Sequence, residues 1–142
     1  MTDDADHALA RSIIQQAADA LIFADVNGTI RIWNAAATAL FGFSANEAIG
    51  RSLDLIVPER LRAAHWAGFR RAMQSGRTNL GGRATLTRAW HKSGTRLYVD
   101  MSFAVVRGPA GEVAGSVAMA RDATARHQQD NARPKQSAGT TG

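Results

Sequence analysis

The sequence predicts an α+β domain, in which a five-stranded antiparallel sheet carries helices on one face and one further helix precedes it. Three observations predict this. Two strand-like segments flank an Asn-Gly pair near the start, short helical segments fill the middle, and three strand-like segments joined by tight turns close the chain. Hairpin connections force antiparallel pairing, and the helices between the hairpins need an apolar sheet face to cover.

Asp3 to Asp19 reads as an amphipathic helix, with Thr2 or Asp3 as cap, acids in the first turn, and Leu9, Ile13, Ala17 and Ala20 or Leu21 in register. Leu21 to Val26 and Thr29 to Trp33 flank Asn27-Gly28, a pair that tolerates the positive φ angles of a two-residue hairpin turn. Asn34 is placed to cap a helix through Leu40 that Gly42 ends, and Ser44 with Glu47 forms a capping box for a single turn to Ile49. Pro58 takes a first helical position, and that helix runs through Met73 until Ser75-Gly76 stops it. Arg83 to His91, Thr95 to Val106 and Val113 to Arg121 are the closing strands. From Gln128 the composition turns polar and aperiodic. The expected division is a helix at 1–19, a core domain at 20–125 and a disordered tail at 126–142.

A chain of 142 residues has room for one core and none for a separate catalytic or DNA-binding unit. No apolar run approaches the ~20 residues of a bilayer span, and the acidic start is unlike a signal peptide, so a cytoplasmic, membrane-free location is expected. Cysteine is absent, which excludes disulfides, thiolate metal sites, a cysteine nucleophile and flavin photochemistry through a cysteinyl adduct. The formal charge is +5, but the basic residues are mostly spread singly. Arg60, Arg62, Arg70 and Arg71 crowd one segment, which reads as a solvated helix face and not as a nucleic-acid platform. There is no Ser-His-Asp spacing, phosphate loop or metal-ligand cluster, and His7, His65, His91 and His127 lie far apart, so no catalysis is expected.

The run Trp33-Asn34-Ala35-Ala36, then Leu40-Phe41-Gly42-Phe43 and Glu47-Ala48-Ile49-Gly50, resembles the PAS family. His91-Lys92-Ser93-Gly94-Thr95 is similar to that family's polar hairpin, and Asp122-Ala123-Thr124 to its closing Asp-x-Thr. The resemblance covers about residues 10 to 125 and implies the PAS fold. It also implies a sensory module that holds a small molecule between helices and sheet, or acts as a dimerisation surface, with a signalling partner in trans. Family membership alone chooses no ligand.

Leu61, Ala64, His65, Gly68, Phe69 and Ala72 share one face of the long helix, while Arg62, Trp66, Arg70 and Gln74 lie off it. A neutral imidazole beside small residues has room for a flat cofactor and is a good haem ligand. Val57 to His65 is also similar to the helix of rhizobial oxygen-sensing haem PAS kinases. That resemblance implies His65 as proximal iron ligand and Arg71 near the haem propionates, but places Thr85 where those sensors carry a distal arginine. Two readings stay open for His65, the haem ligand and a histidine packed in a metal-free core.

Leu97, Val99, Met101 and Phe103 alternate along their strand, and Val117 and Met119 extend the apolar set on the last one. They line a pocket or fill a core. Trp66, off the buried stripe, reads as stacked on Arg62 and Arg70 or covered by a partner, and Trp90, on the same side of its strand as Leu86, as packed under the N-terminal helix or as part of a partner surface. Asp122 and Thr124 are placed to fasten the exiting chain. The apolar stripe Leu9, Ile13 and Ala17 predicts a homodimer through the N-terminal helix and outer sheet face.

Overall fold

Strand alternation, tight turns and capped short helices give the expected architecture. The computed structural model describes residues 3–78 and 83–132. Helix α1 (Asp3–Gln16) leads into β1 (Ala20–Asp25) and β2 (Ile30–Trp33), followed by α2 (Ala35–Phe41), α3 (Ala45–Ala48) and α4 (Arg62–Ser75). The hairpin-linked strands β3 (Thr85–Trp90), β4 (Arg96–Arg107) and β5 (Val113–Asp122) come next, and α5 (Thr124–Ala132) ends the described chain. The sheet is antiparallel with order β2-β1-β5-β4-β3, so the first and last strands in sequence pair at its centre.

The capping chemistry sits where the residues demand it. The Asn34 side chain accepts from Ala37 N, Gly42 closes α2 in the left-handed region, and Ser44 and Glu47 form a complete capping box on α3. The β1–β2 turn is wider than the two-residue form. Gly28 N–H donates to the Asp25 carbonyl, the Asp25 carboxylate accepts from the Asn27 and Thr29 amides, and in this turn Gly28 alone has a positive φ. By serving those amides, the Asp25 carboxylate replaces the contacts of a tighter turn. Pro58 is likewise displaced from the expected position. Its extended backbone caps a 3-10 turn at Glu59–Leu61, and α4 starts only at Arg62. A further 3-10 turn at Leu53–Leu55, which periodicity did not show, precedes it.

The core lies between the inner sheet face and helices α2 to α4. Ile22, Ile30, Phe41 and Val99 are fully buried in it, and the Trp33 ring lies 5.6 Å from that of Phe41 while its Nε1 donates to the Phe43 carbonyl. Asp122 and Thr124 fasten the chain after β5 as the sequence suggests. Thr124 N donates to Asp122 Oδ1, Thr124 Oγ1 accepts from Tyr98 N, and Tyr98 stacks on His127 at 3.8 Å. The segment expected as a disordered tail from residue 126 is helical through Ala132, and residues 133–142 of that tail lie outside the described residues.

Candidate functional site

Small side chains on facing surfaces leave space between α4 and the sheet. Ala24, Ser116 and Ala118 on the inner face stand opposite the α4 side that carries His65, Gly68 and Ala72. One cavity of about 290 Å³ is lined by His65, Gly68, Phe69, Arg71, Ala72, Phe103 and Ser116, with Ser75, Arg77 and Thr78 at its end. A second, of about 110 Å³, is lined by Leu61, His65, Phe69, Thr87, Met101, Phe103 and Ser116, among others. His65, Phe69, Phe103 and Ser116 belong to both. Arg71, Ser75 and Arg77 are exposed, so the larger cavity opens toward solvent at the C-terminal end of α4.

His65 is the polar centre of this space. Its Nδ1 is buried and has no hydrogen-bond partner among the described residues. The ring packs edge-on against Trp66, centroids 4.8 Å apart, and lies 6.2 Å from Phe69. Burial lowers its pKa from the usual histidine value, and the Asp54 carboxylate raises it by a smaller amount, so the imidazole is neutral at pH 7. Neutral imidazole is the form that binds a metal.

Several expectations about the lining need correction. Val117 and Met119 point to the outer face, because strand alternation puts Ser116, Ala118 and Ala120 inward; Met119 is 41% exposed. An apolar count alone misjudged the register, since the inward residues of β5 are small. Val99 is fully buried but lines neither cavity, and Thr85, opposite Met101, lines neither as well. Thr87 takes the inner position expected of Thr85. Ala64, placed by its spacing on the inward face, is exposed.

Trp66 is not a surface indole. Its Nε1 donates to Asp54 Oδ1 at 2.7 Å, its ring meets Phe69 at 5.3 Å, and it packs against the core so closely to Gly28 that a Cβ there would collide with it. The hydrogen bond to Asp54 supplies the partner that lets the indole turn inward. Trp90 does not lie under α1, which packs against α2. It sits beside Pro58, Glu59 and Arg60, with the Arg96 guanidinium over its ring at 5.9 Å. Ser116 and Arg77 were not singled out in the sequence; a lone serine in an alanine-rich strand and a loop arginine give no periodic signal.

The PAS fold family model matches residues 8–123. The chain belongs to the PAS family. Sensor protein FixL of Bradyrhizobium diazoefficiens is 30% identical over 123 residues, which cover 87% of this chain and 24% of FixL. Oxygen sensor protein DosP of Escherichia coli is 27% identical over 103 residues, covering 72% of this chain and 13% of DosP. The chain thus spans about a quarter or less of these relatives. Among solved structures, the PAS domain of a Colwellia psychrerythraea protein superposes with a TM-score of 0.73 at 21% identity, over 85% of this chain and 99% of that one. An RNA-binding light-oxygen-voltage receptor gives 0.70 at 22% identity, over 92% of this chain and 36% of that one. At these identities the two structures show the shared fold. PAS membership makes this a sensor domain of the PAS type, and among the described residues no helix is long and apolar enough to cross a membrane.

Proposed function

We propose that this PAS domain is a non-enzymatic sensory module whose small ligand lies between α4 and the inner sheet face, and that this ligand is haem held by His65. The observation that carries the reading is the buried, partnerless Nδ1 of His65. A buried polar atom without a partner costs about 1–3 kcal/mol, a cost that ligand binding at the ring relieves. The residues around it suit the group. Leu61, Phe69, Met101 and Phe103 offer apolar walls, and Arg71 and Arg77 stand at the open end where guanidinium groups would pair with carboxylates. Phe69 and Phe103 line both cavities, so a shift of these rings on ligand entry would join the two into one site in the size range of ligand pockets.

Haem, when bound, supplies an iron centre that responds to diatomic gases or to redox state. This chain's residues would hold it: His65 as neutral base, the aromatic and aliphatic side chains by excluding water, and the arginines by fixing its orientation. The names of FixL and DosP, a sensor protein and an oxygen sensor, support a sensory role. Thr85 lies outside both cavities and carries no charge, so the proposal is a gas or redox sensor and not specifically an oxygen sensor.

Mixing the purified protein with haemin is expected to give a strong Soret band at one haem per chain, and His65→Ala is expected to abolish it while far-ultraviolet circular dichroism stays unchanged. The absence of a band with the native chain would sink the reading, and a band that persists in His65→Ala would assign the iron to another ligand.

A second role, homodimerisation, is supported by the exposed apolar side chains Leu9 (56%) and Ile13 (62%) on α1, none of whose residues is buried, and by Met119 on the outer sheet face. A dimer would display a composite surface to a signalling partner in trans. Leu9→Asp combined with Ile13→Asp is expected to weaken self-association at least tenfold in sedimentation experiments. An unchanged dimer would place the interface elsewhere.

A further inference from the structure

We propose that the open edge of β3 is a docking site for an extended acidic segment of a partner protein, which adds to the sheet as a short sixth strand. The starting point is an arginine-lined groove separate from the His65 cavity. Its walls are Pro58, Glu59 and Arg60 on one side and Arg88, Trp90 and Arg96 on the other, and it encloses about 490 Å³. Three guanidinium groups face it against the single carboxylate of Glu59. The ion pairs among the described residues engage Arg31, Arg62, Lys92, Arg121 and Arg126, and none of the three groove arginines. Two of them are held in place by aromatic rings: Arg88 lies 5.8 Å from the Tyr98 centroid and Arg96 lies 5.9 Å from that of Trp90. Cations positioned in this way without a carboxylate partner form an electrostatic landing site for an anion.

Backbone geometry specifies what kind of anion. β3 is the last strand of the sheet, so one of its sides has no neighbouring strand. Trp90 N–H points to that side, where it donates to the Ile56 carbonyl. Successive residues alternate, so the N–H and C=O groups of Leu86 and Arg88 point the same way, and among the described residues they have no partner outside the β3–β4 ladder. An extended peptide satisfies these groups with main-chain hydrogen bonds. Ile56 closes the edge at Trp90, which limits the added ladder to the stretch beside Leu86 and Arg88.

Side chains of that edge define the sequence it would accept. Leu86, which is 49% exposed, and Arg88 and Trp90 alternate onto the same face. An added strand that sets an apolar residue beside Leu86 therefore sets its next-but-one residue beside Arg88 and the one after that near Arg96 and Arg60. The pattern is apolar-x-acidic-x-acidic. A second copy of the same edge is a poor occupant, because its arginines would meet these arginines. Open edges are protected from self-pairing by such charges, and the same charges admit a partner of opposite sign.

The test uses the full chain and a fluorescein-labelled peptide containing Ile-Thr-Asp-Thr-Glu. Saturable binding by anisotropy is expected, at least tenfold weaker when the two acids are replaced by lysine, when the threonines are replaced by proline, or in the protein variant Arg88→Glu with Arg96→Glu. Bound peptide is expected to slow hydrogen exchange at the Leu86 and Arg88 amides specifically. The proline peptide keeps every charge and needs no protein variant, so it tests strand addition even if the arginine variant misfolds. Binding that leaves those two amides exchanging freely, tolerates proline, or is indifferent to charge overturns the proposal, and so does a failure to bind at millimolar peptide.

Discussion

Asn34→Ala is expected to destabilise the domain by about 2–4 kcal/mol, measured as a shift of the urea unfolding midpoint at unchanged slope. Asn34 is 1% exposed and its side chain joins three parts of the chain. Oδ1 accepts from Ala37 N, which caps α2, and from Leu21 N at the start of β1. Nδ2 donates to the carbonyls of Ile14 in α1 and Asp19 before β1. Alanine removes the cap, worth about 1 kcal/mol, and leaves the Leu21 donor and two carbonyls unserved. Water reaches some of these groups because Ile14, Asp19 and Leu21 are only half-buried, which keeps the loss below the full sum. Asn34→Asp separates the two sides of the amide. It retains both bonds to Oδ1 but sets a carboxylate against two carbonyl oxygens, so it is expected to destabilise at pH 7 and to recover in part in acid, where the protonated group donates again. An Asn34→Asp variant as stable as the native chain at pH 7 would show that the two bonds to Oδ1 matter and those from Nδ2 do not.

Asn34 also illustrates what the sequence made legible. Its capping role follows from its position before an apolar helix, and the same local chemistry located Gly42, the Ser44–Glu47 box and the closing hairpins. The long-range bonds to Ile14 and Asp19 were not legible, because no spacing rule reports what lies across a fold. The site divides in the same way. Helical periodicity correctly places His65, Gly68, Phe69 and Ala72 along the cavity, although Ala64 on the same face is exposed and Trp66 off it is half-buried, with its Nε1 donating to Asp54. On β5, Val117 and Met119 drew attention by being large, yet the residues that shape the cavity are Ser116 and Ala118, whose smallness is what leaves the space. Sequence patterns find side chains that fill volume more readily than those that leave it empty.

Gly115→Ala is expected to be among the most damaging single-methyl additions in this fold, costing about 3–5 kcal/mol from backbone strain and overpacking together. Gly115 is buried in β5 opposite Asp25 and Val106, with φ of 157°, a conformation that side-chain-bearing residues rarely adopt. A Cβ there would collide with the Ala24 carbonyl oxygen and come within 2.9 Å of the Phe23 ring. The obstacle on one side is backbone of a central strand, which cannot swing aside as a long side chain can. Relief therefore requires β1 and β5 to separate at the end nearest the larger cavity, where the neighbouring Ser116 forms part of the lining. Gly68→Ala is the matched control, since its Cβ meets nothing nearer than an Arg71 nitrogen at 3.8 Å and helical alanine gains about 0.8–1 kcal/mol over glycine. The two substitutions add the same methyl group and are expected to move the urea midpoint in opposite directions. Equal and small effects at both positions would mean that the β1–β5 pairing yields to Gly115→Ala without strain, and amide exchange at Ala24 and Val117 would locate where it does so.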